Sequence, residues 1–195
     1  MLLCKTEYVI TGEPENLKKL SEAIHEAEQS ALSDNSPFFM KYVFMKAGKN
    51  DLNDVCSVIT DFKYVQNEDG IGNKIRIYAD EPNSPKYKAY QRLADLFDLK
   101  MYFQSLNKAG NLFMSNDRES KFFDPIYMRF YDIQNKIYKF DTFSDYAAIM
   151  YFLGRNGVRC SQNAVKAKES VMKAAADMQT ENKGRLLLIN EFQFV

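Results

Sequence analysis

The segment from Lys74 to Asn116 constrains the fold more than any other part of this chain. Lys74-Ile75-Arg76-Ile77-Tyr78 alternates polar and apolar residues in the manner of a strand. Ser84-Pro85 then opens a helix whose apolar positions are Tyr87, Tyr90, Leu93, Ala94 and Phe97. Leu99 to Gln104 resumes the strand alternation, and a turn at Gly110 leads into Leu112-Phe113-Met114. A strand–helix–strand crossover followed by a hairpin cannot bury its faces alone. Further strands must join it, so the class is layered α+β.

The flanking sequence supplies those strands. Cys4 to Thr11 reads as a strand ended by Gly12. A helix begins at Pro14, with Leu17, Leu20, Ile24, Ala27 and Ala31 spaced at three and four residues. Asp34-Asn35-Ser36-Pro37 breaks it, and the aromatic run Phe38 to Met45 suggests a strand. Val55 to Ile59 reads equally as a short helix or as the lead into a strand at Phe62 to Val65, and Gln66 to Asn73 as a loop. Past a charged connector, Ile126 to Ile133 and Lys136 to Phe140 form a hairpin about Gln134-Asn135. Thr142 with Asp145 reads as a capping box for a helix carrying Tyr146, Ala147, Met150 and Leu153 and stopped by Gly154. A last helix from Ser161, with Val165, Met172, Ala175 and Met178 inward, precedes a closing strand from Leu186. The chain of 195 residues reads as a single α+β domain, 1–195, with a seam near 117–124.

Composition removes several function classes. The chain carries 26 basic and 26 acidic residues, which gives no prior for nucleic acid, and the two signs are interleaved as on a mixed, solvated surface. Cys4, Cys56 and Cys160 are too few and too scattered for a disulfide framework or a zinc site. No signal peptide or membrane span is read, so the expected compartment is cytoplasmic. Cys56, between Val55 and Val58, reads as a small buried residue, and Cys160, ahead of a helix start, as the least implausible reactive thiol.

The sequence offers little catalytic equipment. His25 is the only histidine, on a solvated helix position, so histidine-based triads and most acid–base schemes lack their usual base. Asn50 to Asp54 has the oxygen density of a calcium loop but not its spacing. Gly70-Ile71-Gly72 precedes a strand and lacks the third glycine of a dinucleotide fingerprint. No cofactor and no metal are expected. Asp61, Asp80 and Glu81 at strand ends would support a carboxylate-dependent hydrolase only if they converged. Strand-borne rings leave two binding readings. Tyr78, Tyr102, Tyr127 and Tyr131 are candidates for contact with a protein or a small ligand. Lys74, Arg76, Lys100 and Arg129 are candidates for a basic stripe along a nucleic acid.

Three stretches carry a resemblance to a known family. Cys4-Lys5-Thr6-Glu7-Tyr8-Val9-Ile10-Thr11-Gly12, Ile75 to Pro82 with Pro85 and Leu93, and Lys100 to Gln104 followed by Gly110-Asn111-Leu112-Phe113 together resemble the YubB-like family of bacterial, plasmid and phage proteins. The likeness covers residues 4–116. Thr6 stands where that pattern favours Asn, and the family's tryptophans are absent. The resemblance implies a ferredoxin-like antiparallel sheet with helices on one face, extended here by a C-terminal hairpin–helix–helix–strand, and a place on mobile elements. It implies no activity and no catalytic residues. The expectation is therefore a non-enzymatic interaction or ligand-binding module, with a nucleic-acid-associated accessory protein as the alternative and a carboxylate hydrolase third.

Overall fold

The computed structural model describes residues 3–49, 56–66, 72–107, 109, 111–161, 163–181 and 184–195. The chain is a mixed α+β protein with mostly antiparallel strand pairing and five described α-helices. It divides into two compact units, residues 1–117 with Val195 and residues 118–194. The division exposes a charge asymmetry that the neutral total conceals. Residues 1–117 hold 14 Lys/Arg against 17 Asp/Glu, and residues 118–194 hold 12 against 9.

The first unit runs β1 (Leu3–Thr11), α1 (Pro14–Ser33), α2 (Met40–Lys46), β2 (Val58–Val65), β3 (Lys74–Pro82), α3 (Tyr87–Leu96), β4 (Lys100–Asn107) and β5 (Leu112–Ser115). Its strands lie in the order β2-β3-β1-β4-β5. In β1, Cys4, Thr6, Tyr8 and Ile10 are buried together with the same-face partners Ile75, Ile77, Ala79, Met101, Phe103 and Ser105. Leu17, Leu20, Ile24, Ala27 and Ala31 of α1 and Tyr90, Leu93 and Ala94 of α3 close that core. The period of 3.6 in the helices meets the period of 2 in the strands, as the sequence predicts. Tyr8 stacks on Tyr90 with ring centroids 3.7 Å apart. Gly12 ends β1 with φ of 155°, a conformation that favours glycine, and a Cβ there would also press on Leu99 Cδ2 at 2.6 Å.

The aromatic run at 38–45 is a helix, not the expected strand. Only its first residues behave as strand: Ile59 N–H donates to Phe38 O at 2.8 Å, and Phe39 bridges Val58. From Met40 the buried residues Met40, Val43 and Phe44 follow a helical spacing, and α2 packs them into the same core. Val58 and Ile59 belong to β2. Val55, the Asn50–Asp54 cluster, Gly70, Ile71 and the turn residue Gly110 lie outside the described residues.

The second unit comprises β6 (Ile126–Asp132), β7 (Ile137–Phe143), α4 (Tyr146–Arg155), a 3-10 turn (Ala164–Lys166), α5 (Ala167–Glu181) and β8 (Arg185–Glu191), with strand order β7-β6-β8. Ile126, Met128 and Phe130 of β6 pack with Leu187 against Ile149 and Leu153 of α4 and Val171, Ala174 and Ala175 of α5. The hairpin turns where expected. Asp132 locks it by accepting from the Asn135 backbone N–H at 3.0 Å and side-chain amide at 2.9 Å. Asp145, not Thr142, caps α4, its carboxylate accepting from Ala148 N–H at 2.8 Å, while Thr142 remains in β7. Gly154 lies inside α4, and the left-handed residue beyond its end is Gly157, with φ of 71°. The last helix starts at Ala167 rather than Ser161, because Asn163 caps a 3-10 turn ahead of it, while Ala175 and Met178 face inward as expected. Val165 and Met172 instead face solvent, and Ala167 and Val171 take the inward positions.

Candidate interaction face

Each sheet has one face packed on its own helices and a far face turned away from them, and every candidate tyrosine and cation lies on a far face. In the first unit the register places Lys5, Glu7 and Val9 of β1 beside Arg76, Tyr78 and Asp80 of β3 and beside Tyr102 and Gln104 of β4. Lys63 and Asp61 of β2 share that face. Its charges are matched locally. Lys5 Nζ lies 2.8 Å from Asp80, Lys63 Nζ lies 3.3 Å from Asp61, and the Arg76 guanidinium bonds Glu7. Lys74, a proposed phosphate contact, is buried, while Lys100 is exposed at the end of β4. The basic stripe expected over Lys74, Arg76 and Lys100 therefore does not form: burial withdraws Lys74 and Glu7 neutralises Arg76.

The three strand-end acids do not share a cleft. Asp61 and Asp80 sit on the far face in their ion pairs, whereas Glu81, one residue on from Asp80, points to the helix side. There Glu81 is buried under hydroxyl donors. Thr6 Oγ1 reaches its Oε2 at 2.7 Å, the Tyr8 hydroxyl donates at 3.0 Å, and Ser57 Oγ donates to Oε1 at 3.0 Å and contacts the Tyr90 hydroxyl at 2.8 Å. Burial pushes the Glu81 carboxyl above its usual range, and these hydrogen bonds with the Lys86 backbone N–H offset only part of that. Burial, helped by the Glu81 charge, likewise pushes the Tyr8 and Tyr90 phenols upward. The cluster is a satisfied core network, not an acid pair.

Cys56 is exposed, opposite to the sequence expectation, and its neighbour Ser57 takes the buried position because it reaches Glu81. Cys160 is half-buried, and burial raises its thiol pKa, which removes the feature that would make it reactive. His25 faces solvent on α1 with Nδ1 3.5 Å from Glu28. Among the described residues no three His, Cys, Asp or Glu side chains are grouped to hold a metal ion, and no helix is long and apolar enough to cross a membrane.

The second sheet's far face is built differently. Its rows are Thr142–Tyr127–Asn190, Phe140–Arg129–Leu188 and Tyr138–Tyr131–Leu186, read across β7, β6 and β8. Tyr131 stands nearly perpendicular to Tyr138 and to Phe140, with centroids 6.2 Å and 5.1 Å away. Tyr138 is 57% exposed and Phe140 43%. Tyr127 is buried and so is not available as a surface contact. Arg129 occupies the centre of this grid between a ring and a leucine. Its Nε is buried and has no hydrogen-bond partner among the described residues.

Sequence reasoning brought Arg129 and Tyr131 to this face but missed Tyr138, Phe140, Leu186 and Leu188. The signal was present. A hairpin centred on Gln134-Asn135 sets Tyr131 opposite Tyr138 and Arg129 opposite Phe140, the observed register. No family model, no curated protein and no solved structure matches the chain.

Proposed function

We propose that this chain is an interaction module, and that it recognises its partner or ligand on the far face of the second sheet through Arg129, Tyr131, Tyr138 and Phe140. The supporting observation is the buried Arg129 Nε that lacks a hydrogen bond, set beside two exposed rings. A buried donor left unsatisfied costs about 1–3 kcal/mol. A bound group that draws the Arg129 side chain outward and brings an acceptor oxygen to that donor recovers this cost, and the rings supply contact area. The chemistry fits a carboxylate or phosphate carried on an apolar or planar body.

In the same reading the first unit is a ferredoxin-like layer. The strand order β2-β3-β1-β4, with α1–α2 and α3 as the two connections, supports it, and it agrees with the YubB-like resemblance of residues 4–116. A nucleic-acid-associated role is the second reading. The positive balance of residues 118–194 and the exposed rings favour it over the paired face of the first unit.

An NMR titration tests both. Short acidic peptides containing aromatic residues and single-stranded oligonucleotides are added in turn to the labelled chain. Shifts confined to Arg129, Tyr131, Tyr138 and Leu188, lost in Arg129→Met, support the assignment. Saturable oligonucleotide binding with a steep salt dependence selects the second reading. Shifts centred on Tyr78 and Arg76, or shifts that survive Arg129→Met, reject the site.

A further inference from the structure

β7 lies at the edge of its sheet and pairs with β6 on one side only among the described strands. We infer that its outer edge joins the same strand of a second copy of this chain, antiparallel, across a two-fold axis at Phe140. The sequence Ile137-Tyr138-Lys139-Phe140-Asp141-Thr142-Phe143 is self-complementary about that residue. Such an axis sets Lys139 opposite Asp141 of the other copy, Ile137 opposite Phe143, and Tyr138 opposite Thr142. Phe140 meets its own counterpart. All seven residues of the strand find partners, and each pair is of a kind that stabilises antiparallel ladders.

The register is specified by what its neighbours would cost. Moving the axis to residue 139 sets Lys139 against Lys139, and moving it to 141 sets Asp141 against Asp141. A slip of one residue joins the helix side of one copy to the far face of the other. An open edge is ordinarily protected by charge, most often lysine. Here the edge carries both signs two residues apart, an arrangement that repels most strands and fits its own reverse. Lys139 and Asp141 lie on the helix side of the strand and remain partly exposed, so they have room to exchange partners. This pairing draws on the backbone and the helix-side charges as well as on Tyr138 and Phe140 of the proposed recognition face, so its test is placed at Lys139 and Asp141, which that face does not use. The pairing would join two copies of that face into one six-stranded surface.

A seven-residue edge contact is small, so a concentration-dependent equilibrium is expected rather than an obligate dimer. Light scattering and sedimentation of the full chain through the high-micromolar range read it. Lys139→Asp and Asp141→Lys each place like charges opposite one another twice and should weaken self-association by about tenfold or more. Mixing the two variants restores both opposite-charge pairs, so the mixture should form a heterodimer about as tightly as the wild type forms its homodimer. Circular dichroism of each variant confirms the fold before mixing. A wild-type chain that stays monomeric overturns the inference, whatever other molecule proves to bind the strand. So do single variants that still self-associate, and folded variants that fail to combine.

Discussion

The two sheets of this chain face the same design problem and leave it in opposite states. Both are antiparallel, both bury one face under their own helices, and both carry tyrosines and cations on the far face. In the first, three cations meet an acid: Lys5 with Asp80, Lys63 with Asp61, Arg76 with Glu7. In the second, Arg129 lies between Phe140 and Leu188 with nothing to satisfy its Nε among the described residues. A strand-borne arginine is thus surface in one setting and a candidate contact in the other. Its cross-strand neighbours decide which.

Their buried acids diverge in the same way. Glu81 of the first unit is held by hydroxyls and one backbone N–H, and burial raises its pKa. Asp132 of the second is pushed up by burial too. The Asn135 side chain and backbone and the Arg185 guanidinium, with Nε 2.6 Å away, outweigh that and hold it below the usual carboxylate range. A carboxylate desolvated among neutral donors favours its proton, and one beside a guanidinium sheds it.

The largest expected effect breaks one sheet and spares the other. Phe130 is fully buried in the second core and stands edge-on to Phe152 at 5.8 Å. Phe130→Ala should cost about 3–5 kcal/mol. Hydrogen exchange by residue should show the loss in β6, β7 and β8, with β1 and β3 protection unchanged. Equal loss in β1 and β3 would mean that the two units unfold as one.

The next effect is on pH dependence, and its sign differs between the units. The folded state binds the Glu81 proton more tightly than the unfolded chain, whose reference value is 4.5. The stabilisation by protonated Glu81 is complete below that value and is lost as pH rises through the folded pKa. Asp132 contributes above its unfolded reference of 3.8, and that contribution is lost as pH falls through its lowered folded value. Acidification from neutral should therefore strengthen β3 protection and, at the acid end, weaken that of β6. Glu81→Gln should flatten the first trend alone. Carboxyl titrations by NMR that move both groups in one direction would dissolve the contrast.

Much of this was legible in the chain. The inward stripe of α1, the strand alternation of β1, β3 and β4, and the hairpin about Gln134-Asn135 follow from local periodicity, and there the structure agrees residue by residue. Short apolar runs were not legible, because Phe38 to Met45 is too short to distinguish period 2 from 3.6 and tertiary burial of Met40, Val43 and Phe44 chose the helix. Helix starts were misread where side chains compete for the capping role, as Asp145 does with Thr142 and Asn163 with Ser161. Of the candidate residues, alternation is enough to put Arg76 with Tyr78, and Tyr127 with Arg129 and Tyr131, on one side of their strands, and the structure turns those sides away from the helices. Alternation could not predict that Glu7 would neutralise Arg76, since β1 and β3 are paired over some seventy residues of separation. Only the short hairpin made cross-strand neighbours readable, and the second face is where they leave Arg129 unsatisfied.

Paired substitutions test that difference directly. Arg129→Met removes an unsatisfied donor while keeping an apolar stem, so it should raise stability by about 1 kcal/mol. Arg76→Met strands Glu7 and should lower stability by about 0.5–1 kcal/mol. Chemical denaturation of both variants reads the two signs. A residue whose replacement improves the fold is one retained for something other than folding. If Arg129→Met destabilises as Arg76→Met does, the second far face is structural and the comparison fails.

The smallest effects lie in the ion pairs that make the first face unreactive. Lys63–Asp61 is open to water on both sides, whereas Asp80 of the Lys5–Asp80 pair is only 25% exposed. Double-mutant cycles should therefore give about 0.2–0.5 kcal/mol for the former and up to about 1 kcal/mol for the latter. Both should shrink in high salt, the exposed pair more completely. These values are small because water already satisfies most of each charge. For the same reason a phosphate or carboxylate gains little by displacing such a partner. Couplings near zero for both pairs would show that the acids neutralise nothing. Lys5, Lys63 and Arg76 would then be as available as Arg129, and the first sheet would become the stronger site.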